Sequence, residues 1–317
     1  GDLAEAVSRE VLDLWRYLDG APDDGFGLLS DSVLVLGRAC DPEEHGILRK
    51  RVGAVLCRQY DLIFANSSAK QGSKLILQRT KIDQSAFDLR EPVGAARPLL
   101  NGAVARRMAG AVWPHRDVFV TPMVAVAGAV ADVMLAAFTA ARDLTRVYVN
   151  NGGDIAFHLA AGQSFDAGIV DDADAPGLDA RVRLTHDMPV RGLATSGWRG
   201  RSHSLGIADA VTVMARSAAE ADVAATLIAN AVDVDHAAIT RAPASSLSDD
   251  SDLGDLPVTV AVGELPDGAV DQALAAGLAC ARAMQAERLL FSAYLSLQGQ
   301  VKTAGEDALL PAAGGAM

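Results

Sequence analysis

Basic residues are outnumbered in this 317-residue chain: 28 Lys and Arg stand against 40 Asp and Glu, for a net charge of −12. A nucleic-acid binder needs a cationic surface to neutralise phosphates, and an anionic membrane surface makes the same demand. Neither partner is expected, and a phosphate-bearing ligand has to rely on a local basic pocket or a metal. Cysteine is equally sparse. Cys40, Cys57 and Cys280 are widely spaced and form no CxxC pair, which removes a disulfide framework and a zinc-ribbon spacing and leaves buried thiols in a reducing compartment. Aromatics make up only 5% of the chain although 50% is hydrophobic. The core is therefore built from Ala, Val and Leu, side chains small enough to let helices approach a sheet closely. Long hydrophobic runs are missing too. The longest, Val118 to Ala141, is interrupted by Thr121, Pro122, Asp132 and Thr139, short of the ~18 uninterrupted apolar residues of a membrane span. The first residues are acidic (Asp2, Glu5), with no charged region leading into an apolar one. The expectation is a soluble, cytoplasmic protein, and its apolar, alanine-rich balance is compatible with a homo-oligomer.

Hydrophobic periodicity predicts a layered α/β or α+β fold. Helices are expected over 3–18, 41–60, 101–112, 123–142, 217–232 and 266–286, and strands over 31–36, 74–79, 117–121, 166–170, 180–185, 190–195, 208–215, 257–262 and 288–297. Two β-rich runs, Arg146–Val149 and Asp154–Leu159, flank an Asn/Gly turn and read as a hairpin. An acidic loop spans Asp171 to Asp179, and a polar loop spans 243–256. The domain division expected is an unassigned N-terminal segment over 1–85, a main domain over 86–303 and a flexible tail over 304–317.

Three segments carry chemical potential. The first is the turn Asn150-Asn151-Gly152-Gly153-Asp154, whose glycines let the backbone approach a ligand and leave amides free to donate. By itself it reads better as an ordinary hairpin turn. The second is Thr195-Ser196-Gly197-Trp198-Arg199-Gly200-Arg201-Ser202-His203, a basic, hydroxyl-bearing loop in an acidic protein. Its arginines suit an anion and Trp198 suits a planar ring. His203 and Asp209 are candidates for an acid–base pair beside Arg199 and Arg201. The third is Asp222 and Thr226, four apart and therefore one turn apart on a single helix face, two oxygen donors suited to Mg²⁺. Spacing alone favours the plainer reading: a Ser217 cap, an exposed acid in the early turns and a threonine bonded back to its helix. Ser196 lacks the Gly-x-Ser-x-Gly elbow of a serine hydrolase. Glu43, Glu44 and His45 follow Asp41-Pro42 as a helix start does, and His158 on an apolar strand reads as a satisfied core residue.

Taken in order, these segments resemble the ApbE-like superfamily over about residues 117–301. Its members carry an N-x-G-G-[DN] turn, an A-T-S-G segment, a V-T-V strand and an A-D-x-x-A-T helix. Here they stand at Asn150–Asp154, Ala194–Gly197, Val211–Val213 and Ala221–Thr226, and the helix Val126–Asp132 resembles the family's A-K-G-x-x-x-D. The resemblance implies an ApbE-like fold of mixed sheets packed against helices. It further implies Mg²⁺ on Asp222 and Thr226, FAD or FMN as ligand held also by Asn151, Gly152, Gly153, Asp154, Thr195, Ser196, Gly197 and Trp198, and transfer of FMN to a hydroxyl of an acceptor protein. The chain departs from the transferases in two places. Ala127 stands in the lysine position, and Arg199–Asp209 replaces their H-x-x-D-P-x-T-G segment. In both respects it is most similar to an uncharacterised cytoplasmic, UPF-type branch of the superfamily. Three readings follow: an FMN transferase, a different enzyme such as a hydrolase of a small anionic, heterocyclic substrate, or a flavin- or nucleotide-binding protein without chemistry.

Overall fold

The computed structural model describes residues 28–29, 33–35, 87–100, 102–140, 144–169, 179–200, 202–248, 251–305 and 309–311. The helices expected over 3–18 and 41–60, the strand over 74–79, most of the acidic loop and Arg201 lie outside the described residues. The fold is a layered α+β architecture, divided into two compact units, Gly1–Ala160 and Ala161–Met317.

In the first unit, β1 (Leu28–Leu29), β2 (Val33–Val35), β3 (Arg146–Asn151) and β4 (Asp154–Leu159) form successive antiparallel neighbours. Helix α1 (Ala103–Val112) packs on α2 (Val126–Thr139), and α2 covers β3 and β4. Gly128 to Met134 of α2 are buried without a break, so that apolar run is spent on the interior. By length and composition alone Pro122–Thr139 is long and apolar enough to cross a membrane; here most of it is buried inside the protein. The expected strand over 117–121 does not form. Pro114 and Pro122 bracket it, each starting a 3₁₀ turn (Trp113–His115 and Pro122–Ala125), which leaves too little chain for pairing. Val118 and Phe119 are consequently exposed while Val120 and Thr121 turn inward.

In the second unit, β7 (Gly192–Ser196), β8 (Ala210–Ala215), β11 (Ser292–Leu297) and β12 (Gln300–Ala304) make an antiparallel sheet in that order. Helix α3 (Ala218–Ala231) lies on β7 and β8, and α5 (Asp267–Ala286) lies on α3, β11 and β12. Ser217 caps α3 by accepting from the Glu220 amide at 3.2 Å, a bond that satisfies one of the helix's open amides. Six alanines, Ala218, Ala219, Ala221, Ala224, Ala225 and Ala229, are buried on α3 beside Val223 and Ile228, so the helix backbone sits close to the strands. Close approach has a corollary on the partner side: a Cβ at Gly192 would lie 2.1 Å from the Ala218 amide nitrogen.

Smaller layers complete this unit. β5 (Ser164–Ile169) pairs with β6 (Ala180–Thr185), and β9 (Ile239–Pro243) pairs with β10 (Pro257–Val262). A short helix, α4 (Ala244–Leu247), begins the loop that was expected to be irregular from residue 243. The strand expected over 288–297 is shorter, beginning at Ser292, because Arg288 takes a left-handed φ of 59° at the end of α5. β12 closes at Ala304, and β13 (Leu309–Pro311) pairs antiparallel with the edge of β6 left open by β5. A backbone edge with unpaired amides and carbonyls offers such a segment a full ladder.

Candidate functional site

The glycine turn belongs to the first unit. Gly152 and Gly153 have φ of 70° and 112°, values open to glycine, and they close a two-residue hairpin in which Asn151 faces Asp154. Side chains fix the turn. Asn150 Oδ1 accepts the Gly153 amide at 2.9 Å, and Asn151 Nδ2 donates to the Ala127 carbonyl at 3.1 Å. The turn is thereby anchored to the backbone at the start of α2. Asp154 is buried. In the same unit buried Asp132 accepts from Arg107 Nη1 at 3.3 Å.

The other two segments meet inside the second unit. Ser196 ends β7, and Thr226 lies two turns into α3; the Thr226 hydroxyl donates to Ser196 Oγ at 3.4 Å. Asp222 stands one turn before Thr226 on the same helix and is only 9% exposed. Next along β7, Thr195 Oγ1 lies 2.8 Å from Thr212 Oγ1 on β8. The A-T-S-G strand end, the V-T-V strand and the A-D-x-x-A-T helix thus bring hydroxyls and one carboxylate together. Among the described residues no three His, Cys, Asp or Glu side chains cluster as a metal site. Mg²⁺ demands hard oxygens and commonly completes its shell with phosphate and water, so one carboxylate with neighbouring hydroxyls fits that ion and not a soft one.

The loop after Ser196 is tied to the strand that follows it. Gly197 packs so closely on the backbone of Ala208 and Asp209 that a Cβ there would lie 2.3 Å from the Asp209 carbonyl oxygen. The Trp198 amide donates to the Ala208 carbonyl at 2.9 Å. Asp209 then gathers three donors. Its Oδ1 accepts from Trp198 Nε1 at 3.0 Å and from Arg199 Nε at 2.9 Å, and its Oδ2 accepts from the Gln298 amide at 2.6 Å. The Arg199 guanidinium also stacks over the Trp198 ring, 4.9 Å from its centroid. The Asp209 side chain is 12% exposed and that of Arg199 39% exposed, so the arginine reaches solvent from a fixed base.

The side-chain and backbone donors on the Asp209 carboxylate are Trp198, Arg199 and Gln298. Ser204, one residue beyond His203, is pinned. Its hydroxyl and the Leu205 amide both donate to Asn230 Oδ1 at the end of α3, at 3.2 and 2.9 Å. Arg191 turns away from the site, donating to the Met188, Val190 and His186 carbonyls. His158 is satisfied by the Leu144 carbonyl at 3.1 Å, as its strand position predicts.

Sequence reasoning missed Thr212, Asn230 and Gln298. The usable signal for Gln298 is the Gln298-Gly299 pair between two β-rich runs, which marks a hairpin tip. Asn230 carries no comparable signal, since its role depends on the loop it meets.

An antiparallel sheet lies under a helix rich in buried alanine, with hydroxyls on β7, β8 and that helix: the chain is a layered α+β protein. The family model described as "AbpE bacteria" matches residues 70–303, and the chain belongs to that family. It is 37% identical over 184 residues to UPF0280 protein MK0206 of Methanopyrus kandleri, a match covering 56% of this chain and 70% of that protein. It is also 37% identical over 121 residues to UPF0280 protein MJ1526 of Methanocaldococcus jannaschii, covering 35% of this chain and 45% of that one.

Proposed function

We propose that the chain is a magnesium-dependent enzyme of the FMN-transferase type, with Asp222 and Thr226 holding Mg²⁺ and the Thr195–His203 loop seating the diphosphate of FAD. The observation that carries this reading is the 3.4 Å contact between Thr226 and Ser196, which joins the helix pair to the loop. When bound, Mg²⁺ neutralises phosphate charge and stabilises the charge that develops as the diphosphate breaks. The chain's own side chains orient the ligand. The Ser196 hydroxyl donates to a phosphate oxygen while accepting from Thr226, Arg199 supplies positive charge from its anchored position, and Trp198 offers an aromatic edge to the ring system. In the reaction a P–O bond of the diphosphate breaks, AMP leaves, and a phosphoester forms with a Ser or Thr hydroxyl of an acceptor protein. His203 takes the proton of that hydroxyl.

Incubation with FAD, Mg²⁺ and a Ser/Thr acceptor peptide tests the proposal. AMP release, together with flavin fluorescence retained on the peptide after denaturation, is expected, and both are lost in Asp222→Ala and Thr226→Val. Absence of AMP under all these conditions overturns transferase chemistry.

A second reading is favoured by Ala127 and by the full engagement of Asp209, both at positions where transferases differ. On that reading the same loop serves hydrolysis of a small anionic heterocycle, and the chain shows no FAD affinity. Tight, reversible FAD binding without AMP release identifies a binding protein instead.

A further inference from the structure

We propose that Gln298 is a positioning residue for the Trp198–Arg199 pair, acting through Asp209; its importance for ligand binding rests on the site reading above, while the positioning itself does not.

Gln298 occupies the first central position of the two-residue turn between β11 and β12, with φ of 46°, and Gly299 follows at 77°. Such a turn requires left-handed backbone at both positions and prefers Asn, Asp or Gly at the first. Glutamine has no local side-chain bond that eases this conformation, so its presence calls for a compensating interaction. The compensation is visible at both ends of the side-chain amide. Oε1 accepts the Leu265 amide at 3.1 Å and Nε2 donates to the Gly263 carbonyl at 2.8 Å. The side chain thereby pairs with the 263–265 connection leading to α5, much as a strand backbone would.

This clamp fixes the orientation of the Gln298 peptide group. Its amide points at Asp209 Oδ2 at 2.6 Å. A carboxylate is planar, so holding Oδ2 sets where Oδ1 lies. Oδ1 is the atom that receives both Trp198 Nε1 and Arg199 Nε. The strand itself is held in register, since the Asp209 amide donates to the Ser296 carbonyl at 2.9 Å. The chain of contacts runs from the 263–265 connection through Gln298 and Asp209 to the indole and guanidinium. A glycine at 298 would adopt the turn more easily but would leave the peptide group free to rotate.

The test reads Trp198 directly. In the ¹⁵N-labelled chain, the indole N–H resonance of Trp198 is assigned by its disappearance in Trp198→Phe. A carboxylate acceptor holds that proton downfield. In Gln298→Gly the resonance should move upfield and broaden, although the turn itself is relieved of strain. In Asp209→Asn it should also move, and adding Gln298→Gly to Asp209→Asn should move it no further. FAD affinity in Gln298→Gly is expected to fall on the order of tenfold, the effect of losing about 1.4 kcal/mol. Gln298→Glu keeps the length and the acceptor but not the donor, and should give an intermediate shift, which covers the case of a poorly folded glycine variant. An unmoved Trp198 resonance in both Gln298 variants, or additive shifts in the double variant, overturns the positioning role. A wild-type chain that binds no FAD refutes the flavin reading alone, because the indole comparison in the free protein still decides the role of Gln298.

Discussion

Gly197→Ala is the substitution whose consequences follow most directly from the geometry. The added methyl carbon would stand 2.3 Å from the Asp209 carbonyl oxygen and 2.9 Å from that of Ala208. Both are backbone atoms of the approach to β8, which is held on one side by β7 and on the other by β11. The strand cannot retreat, so the loop must lift. Lifting it breaks the Trp198 amide bond to the Ala208 carbonyl, worth about 1 kcal/mol. Forcing a methyl into closed packing costs about 1–3 kcal/mol more. The expected destabilisation is therefore about 2–4 kcal/mol, read as a lower urea midpoint. Trp198 should also lose its bond to Asp209 and become more open to acrylamide quenching. Gly268→Ala is the control: nothing lies within 4 Å of a Cβ at Gly268, which sits in the first turn of α5. There the change should be neutral or stabilising by up to about 1 kcal/mol. A Gly197→Ala protein within about 0.5 kcal/mol of wild type, the ordinary range for surface changes, would refute the packing argument.

Burial pushes the Tyr148 phenol up to about 12. The folded chain then keeps a proton that the unfolded chain loses near pH 10, so stability is unaffected below pH 10 and declines as pH rises from 10 to 12. Ultraviolet titration should show a late ionisation phase that Tyr148→Phe removes. Arg107→Met takes away a cation 3.3 Å from Asp132, whose side chain is 6% exposed; since the arginine side chain is 41% exposed, solvent screening limits the cost to about 1–2 kcal/mol in urea titrations at low salt, with a smaller cost at high salt.

How far the site was legible in the sequence differs from residue to residue. Asp222 and Thr226 were readable as one face of a helix, because a 3.6-residue period fixes which side chains align. The hairpin around Gly152 and Gly153 was equally readable, since two successive positive-φ positions call for glycine. Asp209 was readable as a charged loop residue, but its partners were not. The nearest candidate along the chain was His203, whereas the structure supplies the Gln298 amide, 89 positions away. The strand expected over 117–121 erred for a related reason: its residues have β-type composition, and flanking prolines decide whether there is room to pair.

The sequence by itself determined the small-residue core, the main helices and several strands of the second unit though not β9, β12 or β13, and the oxygen-bearing side chains offered as a candidate site. Those properties are local; each depends on composition or on a period of two or 3.6 residues. Only the tertiary structure decided that Ser196 meets Thr226, that Asn230 holds the loop beyond His203, and that Asp209 serves Trp198, Arg199 and Gln298 at once. Hydrogen bonds act over about 3 Å, and folding brings that close residues whose separation along the chain carries no periodic signal.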